Sequence, residues 1–126
     1  MAASQRPAFA GRKLIDAYGD NGFRFDGLRV SGSVLLLPGG MYPWEAAHLE
    51  DVDRHSLDPV FEASDQIDIF VLGCGAQPAP LKSPLLDALK RENIGIEALA
   101  TGAACRMYNV LVNEKRRVAA GLIAVP

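Results

Sequence analysis

A cysteine, an arginine, a tyrosine and an asparagine fall together in the run Cys105-Arg106-Met107-Tyr108-Asn109. With Thr101 as a helix cap, Cys105 would lie near the positive end of the helix, where a thiolate is favoured and Arg106 adds to the effect. No histidine stands nearby in sequence to serve as its base. A lone cysteine is also among the most commonly buried residues and packs as a small hydrophobe. On a helical wheel Ala103, Ala104, Met107, Tyr108, Val110 and Leu111 share one broad arc, Cys105 marks its edge, and Arg106, Asn109 and Asn113 fall opposite. The run is therefore expected to be mostly structural, with Arg106 and Asn109 facing a ligand or partner.

A second candidate is the turn Gly73-Cys74-Gly75. Two glycines after a strand resemble the first half of a nucleotide-binding turn, but Pro78 stands where that motif needs its third glycine, and no Gly-Lys-Ser/Thr run is present. Close backbone approach or a sharp exit from the strand is the simpler role for these glycines. If the strands before Gly73 and Thr101 run parallel, both turns lie at their carboxyl edge, and a cleft there would gather Gly73, Cys74, Gly75, Thr101, Cys105, Arg106 and Asn109. His48 and His55 lie in an acidic stretch with Glu45, Glu50, Asp51 and Asp53, without the spacing of a known metal motif, so a solvated loop is expected and no metal or other cofactor. Trp44 reads as an anchor for that loop or as a partner contact.

These residues need a scaffold. Residues 1–12 mix Ala, Ser, Arg, Pro and Gly without a period and are expected to be a flexible tail, leaving residues 13–126 as one domain. The segment after Leu14 is punctuated by Asp20-Asn21-Gly22, Asp26-Gly27 and Ser31-Gly32, turn chemistry that predicts a β-meander. Ser33 to Leu37 reads as a strand buried on both faces. The polar stretch from Met41 reads as a long connection, with a short helix in 57–63 capped by Asp58 ahead of Pro59. Strand, helix, strand, helix, strand then follow: "IDIFVLG", a helix opened by Ser83-Pro84, "IGIEAL", the Thr101 helix and "VAAGLIAV". The fold class is α/β, three layers about a mixed sheet whose parallel pairs are joined by helices and to which the meander adds antiparallel strands.

The chain has 126 residues and a net charge of -2, which supplies no basic excess for a phosphate backbone and disfavours nucleic-acid binding. The apolar run Ile69 to Leu72 is far shorter than the roughly 20 residues of a membrane-spanning helix. No transmembrane segment is therefore expected, although peripheral association stays open. The N-terminal residues lack the apolar stretch of a secretory signal. Two cysteines so far apart suit neither a disulfide framework nor a redox pair, and a cytoplasmic protein with reduced thiols is expected.

Three stretches, "SGSVLLLPGGMYPW", "IFVLGCGAQP" and above all "NIGIEALATGAACRMYNVLVNEKRRVAAGLI", resemble the Mth938-like family of unknown function that includes mitochondrial complex I assembly factor 3. Glu97, Thr101, Cys105, Tyr108 and Asn109 match its most specific motif. The sequence departs from it at Ala100, where an Asp is common, and at Cys74, where a Thr is frequent. The resemblance implies a three-layer α/β domain without established catalytic residues. By analogy it also implies a non-enzymatic interaction or assembly factor for respiratory complex I, with respiratory subunits or another assembly factor as partners. The alternative is a small-molecule-binding domain or enzyme whose cleft lies near Cys74, Thr101, Cys105 and Arg106.

Overall fold

The structure, a computed structural model, describes residues 7–126. Of the expected tail, residues 1–6 lie outside the described residues, and β1 (Phe9–Ala10) pairs with Met41 and Gly40. The meander follows as β2 (Ala17–Gly19), β3 (Gly22–Phe25) and β4 (Leu28–Ser31). Its turns have the predicted chemistry. Asp20 and Asn21 have φ of 51° and 60°, and Asp26 and Gly27 of 50° and 82°, so each two-residue loop carries the left-handed pair that matches hairpin twist.

The meander does not extend the main sheet as expected. It is a separate three-stranded sheet. Phe23 and Phe25 are buried while Arg24 between them is exposed, so its one apolar face is covered only by packing flat on another layer.

The main sheet is built from β5 (Ser33–Leu37), β6 (Gly40–Trp44), β7 (Ile69–Gly73), β8 (Gly95–Leu99) and β9 (Val118–Leu122), together with β1, in the order β1-β6-β5-β9-β7-β8. The expected long connection thus begins with a strand. Ala8 donates to Met41 on the outer side of β6, so Pro43, two residues on, turns its missing N–H to an edge that β1 no longer covers. The antiparallel hairpin β5–β6 joins β9, whereas β9, β7 and β8 are mutually parallel.

Among the described residues three α-helices, α1 (Asp58–Glu62), α2 (Ser83–Arg91) and α3 (Thr101–Asn113), pack on these strands. From β7 the chain crosses to β8 in one direction, and from β8 it returns past β7 to β9 in the other. Parallel crossovers are right-handed, so opposite directions place α2 and α3 on opposite faces of the sheet. The core divides accordingly. Leu85 and Leu89 of α2 pack with Leu35, Leu37, Phe70 and Leu72 on one face. Ala104, Cys105 and Tyr108 of α3 pack with Leu36, Val71, Ala120 and the phenylalanines of β3 on the other.

The caps differ from expectation by one residue. Leu57, Lys82 and Ala100 occupy the N-cap positions, and Asp58, Ser83 and Thr101 are the first helical residues. Asp58 instead receives Arg54 and His55, each 3.2 Å away.

Candidate functional site

At the carboxyl edge of the parallel strands the two predicted turns meet, and Thr101 joins them. Its hydroxyl donates to the Ile123 carbonyl at 2.7 Å and accepts the Gly75 N–H at 3.0 Å. Its backbone N–H donates to the Gly75 carbonyl at 2.9 Å, and Ile123 N–H donates to the Gly73 carbonyl at 3.0 Å. Thr101 is fully buried, so its hydroxyl ties the end of β9 and the turn after β7 to the start of α3. The hydroxyl that the sequence offered as a helix cap serves tertiary contacts instead.

Beside this knot lies an open cleft of about 720 Å³. Its lining includes Cys74, Gly75 and Ile123 beside the knot, Ser33 and Trp44, and the segment Glu45–Glu50. Trp44 is only 8% exposed and donates its indole N–H to the Ser56 carbonyl at 2.9 Å, so it pins the acidic loop rather than projecting to a partner. The ring lies against Gly121, where a Cβ would come within 2.8 Å of its edge. The Asp51 carboxylate accepts the N–H groups of Ala47 and His48, each at 3.0 Å, and these bonds hold its carboxyl below the usual carboxylate range. Ser33 Oγ accepts the Ala124 N–H. Asn21, Ser33 and residues 124–126 also line the cleft, and no motif in the sequence marks them.

Cys74 donates its thiol to the Ala79 carbonyl at 3.5 Å, and burial pushes its pKa up despite the hydrogen bonds. A protonated thiol of this kind is a poor nucleophile. His48, Glu45 and Glu50 are exposed and among the residues that line the cleft. Among the described residues no group of His, Cys, Asp or Glu side chains is placed to hold a metal ion.

The cleft does not gather all the predicted residues. Cys74 belongs to the core on the α2 face of the sheet, whereas Cys105 is 3% exposed in the core on the α3 face. The sheet separates them because the two crossovers go opposite ways. Burial raises the Cys105 pKa to about 12, outweighing Arg106, so the thiolate suggested by its place in the helix is not formed. Arg106 is exposed on the outer side of α3, away from the cleft lining.

Asn109 has a structural partner. Its Nδ2 donates to the Ile15 carbonyl and its Oδ1 accepts the Ile15 N–H, both at 2.9 Å. Residues 12–18 run antiparallel to α3. Arg12 donates to the Arg116 carbonyl at 2.7 Å, and Tyr18 places its hydroxyl against Gly102 where any Cβ would stand. The spacing fits, since three extended residues from Ile15 to Tyr18 and seven helical residues from Gly102 to Asn109 each span roughly 10 Å.

The chain is 35% identical to the zebrafish (Danio rerio) NADH dehydrogenase (ubiquinone) 1 alpha subcomplex assembly factor 3 over its whole length and 72% of that protein. It is 33% identical to the human protein of the same name over 89% of this chain and 61% of the relative. A crystal structure of a Bartonella henselae protein described as an outer membrane protein matches with a TM-score of 0.90 at 38% identity, covering 94% of this chain and 99% of that one. A Bordetella pertussis Mth938-like domain matches with a TM-score of 0.75 at 23% identity, covering 95% and 90%, and identifies the fold as Mth938-like. No helix of the described residues is long and apolar enough to cross a membrane. A family model described as Protein of unknown function (DUF498/DUF598) matches residues 15–123, nearly all of the folded chain, and to that family this protein belongs.

Proposed function

We propose that this protein is a non-enzymatic interaction module that assists assembly of respiratory complex I (NADH:ubiquinone oxidoreductase). The observation that carries this reading is the 35% identity over the full chain to a protein named as an assembly factor of that enzyme. Its partners are respiratory-complex subunits or a second assembly factor. The site chemistry is consistent with binding rather than turnover. Both thiols are held protonated by burial, and the Thr101 hydroxyl is fully engaged within the fold. A cytoplasmic location, with the protein meeting the complex from that side, belongs to the same reading and is tested by cell fractionation. The functional test is affinity capture at native abundance. Recovery of complex I subunits supports the proposal, and a capture without any respiratory subunit overturns it.

A second reading is favoured by the open cleft of about 720 Å³ whose lining includes Cys74 and the Glu45–Glu50 segment, a volume within the range of small-molecule sites. A metabolite screen by thermal shift tests it. A melting-temperature rise that a bulky substitution at Ala76, an exposed lining residue, abolishes supports a ligand site, and a flat screen counts against it.

A further inference from the structure

Four large hydrophobic side chains stand exposed among the described residues, and three of them, Leu14 (39%), Tyr18 (46%) and Val110 (54%), border the seam between residues 12–18 and α3. The paired bonds between Asn109 and Ile15 set Leu14 and Val110 on residues adjacent in sequence to that contact. Tyr18 marks the other end by resting on Gly102. Gly102, Arg106 and Val110 recur every four residues, so they share one stripe of the helix about 12 Å long, with exposed Arg106 between the two apolar ends.

The seam also differs in charge from the rest of the chain. Arg12, Arg106, Lys115 and Arg116 border it, opposed by Asp16 and Glu114, while Lys13 is engaged by Asp26 at 3.7 Å. A local positive excess thus sits on a chain whose net charge is -2. Tyrosine and arginine are among the residue types enriched at binding hot spots.

We propose that the seam docks an acidic amphipathic helix of a partner protein. The inference rests on the interaction reading above and adds the surface and the partner's chemistry. Contacts at Tyr18, Arg106 and Val110 are spaced about one helical turn apart, which matches anchors at i, i+4 and i+8 of a helix laid along α3. The partner's apolar stripe covers Val110 and Leu14, and its carboxylates meet Arg106 and the Arg12–Arg116 end. Burial of the apolar contacts supplies affinity, and the charges select orientation and partner.

The test uses isotope-labelled full-length protein and two synthetic 15-residue helical peptides. Both carry leucines at one-turn spacing; the remaining positions are mainly glutamate in one and mainly lysine in the other. The glutamate peptide is expected to shift the amide signals of Leu14, Tyr18, Arg106 and Val110, and to bind about tenfold more weakly to Arg106→Glu and to Val110→Asp. Both residues are exposed, and thermal melts confirm that the variants fold. The proposal is overturned by no shift, by shifts centred on the Cys74 cleft, or by equal binding of the lysine peptide. A companion capture compares wild type with the double variant. Respiratory subunits lost only from the variant support the seam. Subunits retained by both overturn the seam while the interaction reading stands, and subunits absent from both overturn the two together.

Discussion

The side-chain amide of Asn109 completes the backbone of Ile15, donating to its carbonyl and accepting from its N–H at 2.9 Å each. It makes for residues 12–18 the pair of bonds that a neighbouring strand would make. Asn109→Ala removes both, leaves the partly buried Ile15 groups unsatisfied, and is expected to cost about 1–3 kcal/mol. Native-state hydrogen exchange at the Ile15 amide should accelerate more than exchange in β7. Equal exchange at Ile15 in the two proteins contradicts the assigned role.

Thr101→Val keeps the shape of the side chain but strips the hydroxyl from Gly75 N–H and the Ile123 carbonyl. The expected loss is about 1–3 kcal/mol in denaturant unfolding. Thr101→Ser retains the oxygen and should recover most of it, an outcome that loss of packing volume alone would not give.

Gly121→Ala drives a methyl group toward the Trp44 ring, which is already fixed by its bond to Ser56. Overpacking of this kind costs about 1–3 kcal/mol. Indole fluorescence should change with it. An unaltered spectrum and melting temperature would show that the ring moves freely.

Cys105 gives a pH dependence. Its folded pKa rises from 9.0 to about 12 because burial disfavours the thiolate. The unfolded chain therefore loses this proton first. The stabilisation is complete below about pH 9 and disappears as pH rises toward 12. Buried Tyr108, raised from 10.0 to about 12, acts in the same direction. Unfolding measured across this window should show a shallower alkaline decline in Cys105→Ala than in wild type. Parallel slopes would contradict burial of the thiol, as would rapid labelling of Cys105 in the native state.

The local turn chemistry was legible in the sequence because Asp20-Asn21 and Asp26-Gly27 settle their hairpins by themselves. The β-α-β-α-β order was legible for the same reason, each element carrying its own apolar period. Whether the meander joined the sheet or covered it was not, because Phe23 and Phe25 define an apolar face without saying what it meets. The hidden face of Cys105 follows from the return crossover past β7, a long-range choice absent from any helical wheel. Asn109 read as outward and polar, since its partner Ile15 lies 94 residues away in sequence. Trp44 beside Pro43 reads as a loop anchor, whereas Pro43 itself conceals β6 by standing inside that strand.

The proposed role in complex I assembly is tested by the amount of fully assembled enzyme, resolved by native electrophoresis, in a host strain lacking this chain. Assembled complex I is expected to fall, subassemblies to accumulate, and the wild-type chain to reverse both. Assembled complex I at wild-type levels in the deletion strain would contradict that role.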